Sequence, residues 1–202
     1  MRLNHENTCY VRVIIKEIVM ASLNPPVCNF GWQAPDFDLL GVDGKRYNLQ
    51  NSRGENGLLV MFISNHCPYV QAIRPRLVAD VAALQILGIN SIAIASNDVI
   101  THLADNYEHM QQVAHDFNFS FPYVLDESQA IAKSYDAICT PDFFGFNANL
   151  QLQYRGRFDE SRKETSIGST RDLFKAMQLI AETGKGPREQ MASIGCSIKW
   201  KS

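Results

Sequence analysis

The chain has 202 residues and a formal net charge of −2, with 46% hydrophobic, 20% charged and 10% aromatic residues. These values exclude collagen-like, low-complexity and natively disordered classes, and there is no Lys/Arg excess of the kind a nucleic-acid binder carries. The length suits one compact domain whose core forms without help from disulfides or metals.

Residues 1–25 carry no turn chemistry that frames an element, and Met20-Ala21-Ser22 resembles a second start. The segment reads as an extension or loose arm, in which residues 10–16 suit an edge strand and an amphipathic helix equally. Arg12, Lys16 and Glu17 interrupt the apolar stretch 11–20, which argues against a signal peptide. The longest uncharged apolar run, residues 58–63, falls far short of the roughly 20 residues a bilayer crossing requires. A cytoplasmic protein with no membrane contact is therefore expected.

Next in order, residues 34–39 and 41–49 alternate around an Asp43-Gly44 turn, a hairpin signal. Residues 58–63, Leu-Leu-Val-Met-Phe-Ile, have the continuous apolarity of a strand buried on both faces, and the run ends at Ser64-Asn65-His66-Cys67-Pro68. Helical spacing follows in Tyr69, Ile73, Leu77, Val81, Leu84 and Leu87, with Pro75 expected to kink the helix. A buried strand at 91–96, a polar helix over 100–117 and a short strand at 123–126 come next. A helix over 128–135 leads to Cys139-Thr140-Pro141, then to a hairpin of 142–146 with 150–154, a last helix over 169–182, and a Gly/Pro/Lys-rich tail from 184 to 202. The class is α/β, with a mixed central sheet flanked by helices. The expected division is an extension at 1–25, one domain at 26–183, and a tail at 184–202 that carries Cys196.

Five cysteines, at 9, 28, 67, 139 and 196, form no Cys-x-x-Cys pair, so a structural disulfide framework is not expected. Cys67 is the informative one. Pro68 suits the first helical position, which puts Cys67 at the helix N-cap, where unpaired N–H groups favour a thiolate. A free thiol with a pKa of about 8.5 is only about 3% ionised at neutral pH, and a helix terminus adds about 0.3–1 kcal/mol, so strong activation needs a nearby cation. His66, Arg155 and Arg157 are the candidates. The competing reading is a buried cysteine acting as a small apolar side chain. A strand-to-helix mouth preceded by polar residues is, however, where ligands gather in open α/β sheets.

The order strand, cysteine at a helix start, crossover strand, then Thr-Pro before a hairpin and a final helix resembles the thioredoxin fold. From Ala34-Pro35-Asp36-Phe37 to Trp200, the chain resembles the redoxin branch, the alkyl hydroperoxide reductase and thiol-specific antioxidant group. Within that branch it is similar to a bacterial subgroup marked by the motifs at Asn65–Val70, Cys139–Phe144, Tyr154–Asp159 and Gly195–Trp200. The resemblance implies that Pro141 is a cis-proline beside the redox cysteine and that Cys67 is the attacking thiol, with Pro68 and Thr140 in supporting places. Departures are also present. Val70 stands where thioredoxins have a second cysteine, Val60 where peroxiredoxins have a proline, and Ser64 where they have a threonine. A serine retains the hydrogen-bonding ability that position uses near a peroxide.

A lone sulfenate waits for another thiol or over-oxidises, so a resolving cysteine is needed. The resemblance makes Cys139 the first candidate, because the loop before the cis-proline lies against the active cysteine, within the roughly 4.4–6.8 Å between Cα atoms that a disulfide spans. Cys196 is the second, on a tail expected to swing. Cys9 and Cys28 receive no role.

Arg155 and Arg157 alternate and are expected to share a face, open to a peroxide or other anionic substrate near Cys67 or simply solvated. His102, His109 and His115 are spaced by seven and six, which does not stack them on one helix face, so no metal is expected. No cofactor motif is present. The expected activity is a thiol-dependent oxidoreductase acting on a peroxide or disulfide and regenerated by a thioredoxin- or glutathione-type thiol donor, as monomer or homodimer. The rivals are a disulfide reductase or isomerase, and a non-enzymatic redox-sensing module that binds peptides.

Overall fold

A computed structural model describes residues 22–23, 28–161 and 170–201. The strand reading of 10–16, Cys9 and most of the expected extension lie outside the described residues, as do 162–169.

The elements in chain order are β1 (Ser22–Leu23), β2 (Asp38–Gly41), β3 (Arg46–Asn48), α1 (Leu49–Ser52), β4 (Gly57–Phe62), α2 (Pro68–Ile86), β5 (Ile89–Ala95), α3 (Tyr107–Asp116), β6 (Tyr123–Leu125), α4 (Ala130–Ser134), β7 (Cys139–Thr140), β8 (Asp142–Asn147), β9 (Leu152–Gly156), α5 (Asp172–Thr183) and β10 (Gly195–Ser197). A single 3-10 turn, Leu103–Asp105, precedes α3. Seven strands form a mixed sheet in the order β3-β2-β6-β5-β4-β8-β9, with β4, β5 and β6 parallel and the outer pairs antiparallel.

Strand β4 shows why its run is uniformly apolar. Leu59, Met61 and Ile63 pack with Ile73, Leu77 and Leu84 of α2 and with Leu173 and Met177 of α5. Leu58, Val60 and Phe62 face the other way, toward Phe37, Leu49, Ala132, Tyr135 and Phe144. The period-two alternation thus feeds two cores, one on each face of the sheet. Helix α2 runs continuously through Pro75. The Asp43-Gly44 hairpin forms as expected, with Gly44 at φ 78°.

Two elements differ from expectation. The helix foreseen over 100–117 begins only at Tyr107, because Asp98 draws the chain into a turn through the Ile100 amide and the Thr101 hydroxyl, and Asn106 then caps α3 through the His109 amide. The tail foreseen as mobile is instead docked: β10 pairs antiparallel with β7, placing Cys196 opposite Thr140, and β1 pairs with the other edge of β10. Lys199 secures the end of this segment. Its amide donates to Asn97 Oδ1 at 2.8 Å, and its carbonyl accepts from the Asp98 amide at 2.7 Å and from Gln129 Nε2 at 2.8 Å.

Candidate active site

Strand β4 delivers the chain to Ser64-Asn65-His66-Cys67, and Pro68 starts α2 with Cys67 at its N-cap in an extended conformation. The Thr140–Pro141 peptide bond, on the neighbouring β7–β8 junction, is cis. Cys67 has no exposed surface, and its Sγ donates to the Thr140 carbonyl at 3.0 Å. Its pKa is nevertheless lowered from 9.0 to about 6, chiefly by a hydrogen bond from the Cys196 side chain. Burial opposes ionisation, while the Thr140 side chain and the Val70 and Cys196 amides assist it.

The two candidate resolving thiols sit in different environments. Cys196 reaches Cys67 because its strand lies directly against Thr140. Cys139 turns its sulfur toward the Pro141 carbonyl, at 3.7 Å, and burial together with the nearby Asp142 carboxylate pushes its pKa far upward. Adjacent residues of a strand point to opposite sides, so the register that brings Thr140 to Cys67 turns Cys139 another way.

The other expected residues are placed as follows. Ser64 Oγ donates to Asp105 at 2.9 Å and lies 3.2 Å from His66 Nδ1. His66 Nδ1 is 2.8 Å from Asp105, a bond that raises the pKa of the imidazole. Arg155 and Arg157 do not share a face, because β9 ends at Gly156 and the alternation stops there. Arg155 is buried over Phe144 and paired with Asp142 at 3.1 Å, whose pKa burial pushes up to about 7 against the pull of the guanidinium. Arg157 bonds Asp172 of α5 and, with Tyr69, Pro141, Phe158 and Ser193, lines a cleft of about 140 Å³. His102 stacks on His66, whereas His109 and His115 bond Asn106 and Asp116 on the outer helix.

Sequence reasoning missed Asp105, Asn97, Arg74 and Tyr123. Asp105 is fully buried and receives Ser64, the Asn65 amide at 2.7 Å, His66, and Asn97 Nδ2 at 2.7 Å. Asn65 is held in turn by Arg74 and Gln71 on its carbonyl and by the Tyr123 hydroxyl on Oδ1. Only the polar run Ser64-Asn65-His66 after an apolar strand hinted at such a network.

A mixed sheet with a cysteine at a helix mouth, facing a cis-proline, defines a protein of thioredoxin-like fold. The chain belongs to the AhpC/TSA family, whose model matches residues 30–158. It is similar to an uncharacterized conserved protein from Geobacillus kaustophilus, at 39% identity over 90% of this chain and 97% of that one, with a TM-score of 0.85. A hypothetical protein from Sinorhizobium meliloti 1021 shares 34% identity over 89% and 98% of the respective chains, at a TM-score of 0.84. The thioredoxin domain of a thiol-disulfide oxidoreductase from Bacteroides vulgatus shares the fold at 16% identity and a TM-score of 0.53, covering 66% of this chain and 89% of its own. No curated protein matches. Among the described residues, no helix is long and apolar enough to cross a membrane.

Proposed function

We propose that the protein is a thiol oxidoreductase in which Cys67 is oxidised by a small hydroperoxide and Cys196 resolves it. The observation that carries this reading is the juxtaposition of the two cysteines across Thr140: Cys196 lies opposite Thr140 in the β7–β10 register and Cys67 Sγ reaches the Thr140 carbonyl at 3.0 Å, with the Cys67 pKa lowered to about 6, so that the thiolate predominates at neutral pH. The Cys67 thiolate attacks the terminal peroxide oxygen, the O–O bond breaks, and the leaving alkoxide takes a proton to become an alcohol. Cys196 then attacks the sulfenic sulfur, the S–O bond breaks, and water leaves with the thiol proton as the Cys67–Cys196 disulfide forms. Two electrons from a thioredoxin- or glutathione-type thiol donor restore both thiols.

A small oxidant is favoured over a protein disulfide by the cover on the site. Cys67 is unexposed, and the strand edge at Thr140, where an extended peptide would pair, is already taken by β10. The disulfide-reductase reading requires β10 to leave first. The motif set from Asn65–Val70 to Gly195–Trp200 is consistent with one bacterial subgroup of the family, working in a reducing cytoplasm.

The test is peptide mapping of reduced protein after one equivalent of hydrogen peroxide, beside Cys67→Ser and Cys196→Ser. The expected product is a Cys67–Cys196 bridge in wild type and a Cys67 sulfenate in Cys196→Ser. A Cys67–Cys139 bridge would transfer the resolving role, and an unoxidised Cys67 would sink the peroxidase reading.

A further inference from the structure

We propose that Asp105 is the positioning residue of this site: its carboxylate seats the His66 imidazolium beside Cys67 and so sets how much of Cys67 is thiolate. The proposal rests on the reading of Cys67 as redox nucleophile, but its test requires no turnover.

The geometry concentrates on one loop. Of the four groups that donate to Asp105, three belong to Ser64, Asn65 and His66, the residues immediately before Cys67, and the fourth is Asn97 at the end of the neighbouring strand. A carboxylate with no exposed surface is costly unless donors and a cation compensate it. Here burial pushes the Asp105 pKa up, but the bonds from His66, Asn97 and Ser64 outweigh it and keep the group ionised. Three of the four donors come from the loop that carries Cys67, so the carboxylate fixes that loop as well as its cation. The imidazole adds a charge at the residue adjoining the thiol, and His66 is half-buried, so its proton exchanges with solvent.

The other groups around the pair leave His66 as the adjustable cation. His102 stacks on the His66 ring at 5.3 Å with planes 19° apart, and burial together with the His66 charge pushes its own pKa down. Lys199 opposes protonation of both rings, while Asp98 faces His102 from the opposite sense. Arg74 is a fixed cation, anchored on the Asn65 carbonyl. Tyr123 stays neutral because burial raises its pKa well above the ordinary value, and Cys139 does so for the same reason. Cys196 acts on Cys67 as a hydrogen-bond donor. Asp105 also joins the redox loop to the docked tail, since the Asn97 that donates to it accepts the Lys199 amide.

The experiment is a titration of thiolate absorbance at 240 nm in reduced, full-length Asp105→Asn, with Cys67→Ser as background and iodoacetamide alkylation as a second readout. Loss of the seated cation is expected to raise the Cys67 titration by about one pH unit and to slow alkylation at pH 6 about fivefold. His66→Gln should reproduce the shift, and the double variant should add little to either. A titration that stays in place or moves down in Asp105→Asn overturns the proposal, since direct repulsion by the carboxylate would then outweigh its hold on His66. Should Asp105→Asn not fold, His66→Gln decides by the same criterion. Failure of the redox reading would be visible separately, as absence of Cys67 oxidation in the peroxide mapping.

Discussion

Replacing Cys196 with alanine removes the largest of the contributions that hold Cys67 as thiolate while leaving the backbone of β10 in place. In the intact protein the surroundings of Cys67 lower its pKa from the ordinary 9.0 to about 6. At pH 7 that difference separates a thiol about nine-tenths ionised from one about one-hundredth ionised. A hydrogen bond to a charged group contributes about 1.5–3 kcal/mol, and each pH unit corresponds to about 1.4 kcal/mol. Loss of the Cys196 donor should therefore raise the titration by about one to two pH units, to about 7 or 8. Burial, which already opposes the anion, then has fewer donors to overcome. The assay is absorbance at 240 nm against pH for wild type, Cys196→Ala and Cys196→Ser, each corrected with Cys67→Ser. Serine keeps an O–H donor and should lie nearer wild type than alanine does. A Cys196→Ala thiol that still titrates at about 6 would refute the reasoning, because the helix terminus and the remaining donors would then account for the whole effect.

Three further outcomes are expected. A Cβ at Gly195 would meet the Thr140 carbonyl oxygen at 2.2 Å, so Gly195→Ala should lift β10 from β7, expose Cys67 to dithiobisnitrobenzoate, and slow formation of the Cys67–Cys196 bridge; unchanged thiol accessibility would contradict the docking argument. Arg155→Met leaves the buried Asp142 without its cation and should lower stability by about 3–5 kcal/mol in urea denaturation at pH 8.5, a loss that shrinks as the pH falls through about 7, where Asp142 takes a proton; a change under 1 kcal/mol at pH 8.5 would argue against a buried pair. Because Cys67 has a depressed pKa in the folded state, the unfolded chain binds the extra proton between about pH 6 and 9, so stability relative to Cys67→Ser should rise across that window and be absent below it. Paired denaturation curves at pH 6 and pH 8.5, in reductant, read this directly.

Much of the frame was legible in the chain itself because its signals are local. The apolar run at 58–63 became β4, the Asp43-Gly44 pair became the hairpin turn, and Cys67-Pro68 became the N-cap and first residue of α2. Each depends on period, cap or turn chemistry written within a few neighbouring residues. The resemblance carried by Cys139-Thr140-Pro141 likewise anticipated the cis bond. Local reading was weaker where polar side chains redirect the chain: Asp98 and Asn106 delayed the start of α3, and the end of β9 at Gly156 sent Arg155 and Arg157 to different partners.

The sequence alone determined that a cysteine would stand at a strand-to-helix junction, where backbone N–H groups favour an anion. Only the tertiary structure decided what surrounds that anion. Cys196 and Cys139 look alike as residues, yet the β7–β10 register brings Cys196 to Cys67 and turns Cys139 toward Pro141 and Asp142. Asp105 has no motif of its own and gains its role because the turn before α3 carries it to the end of β4, beside Ser64, Asn65 and His66. Hydrogen bonds and charge pairs act over a few ångströms irrespective of separation along the chain, so they become defined only when strand order and register bring distant segments together.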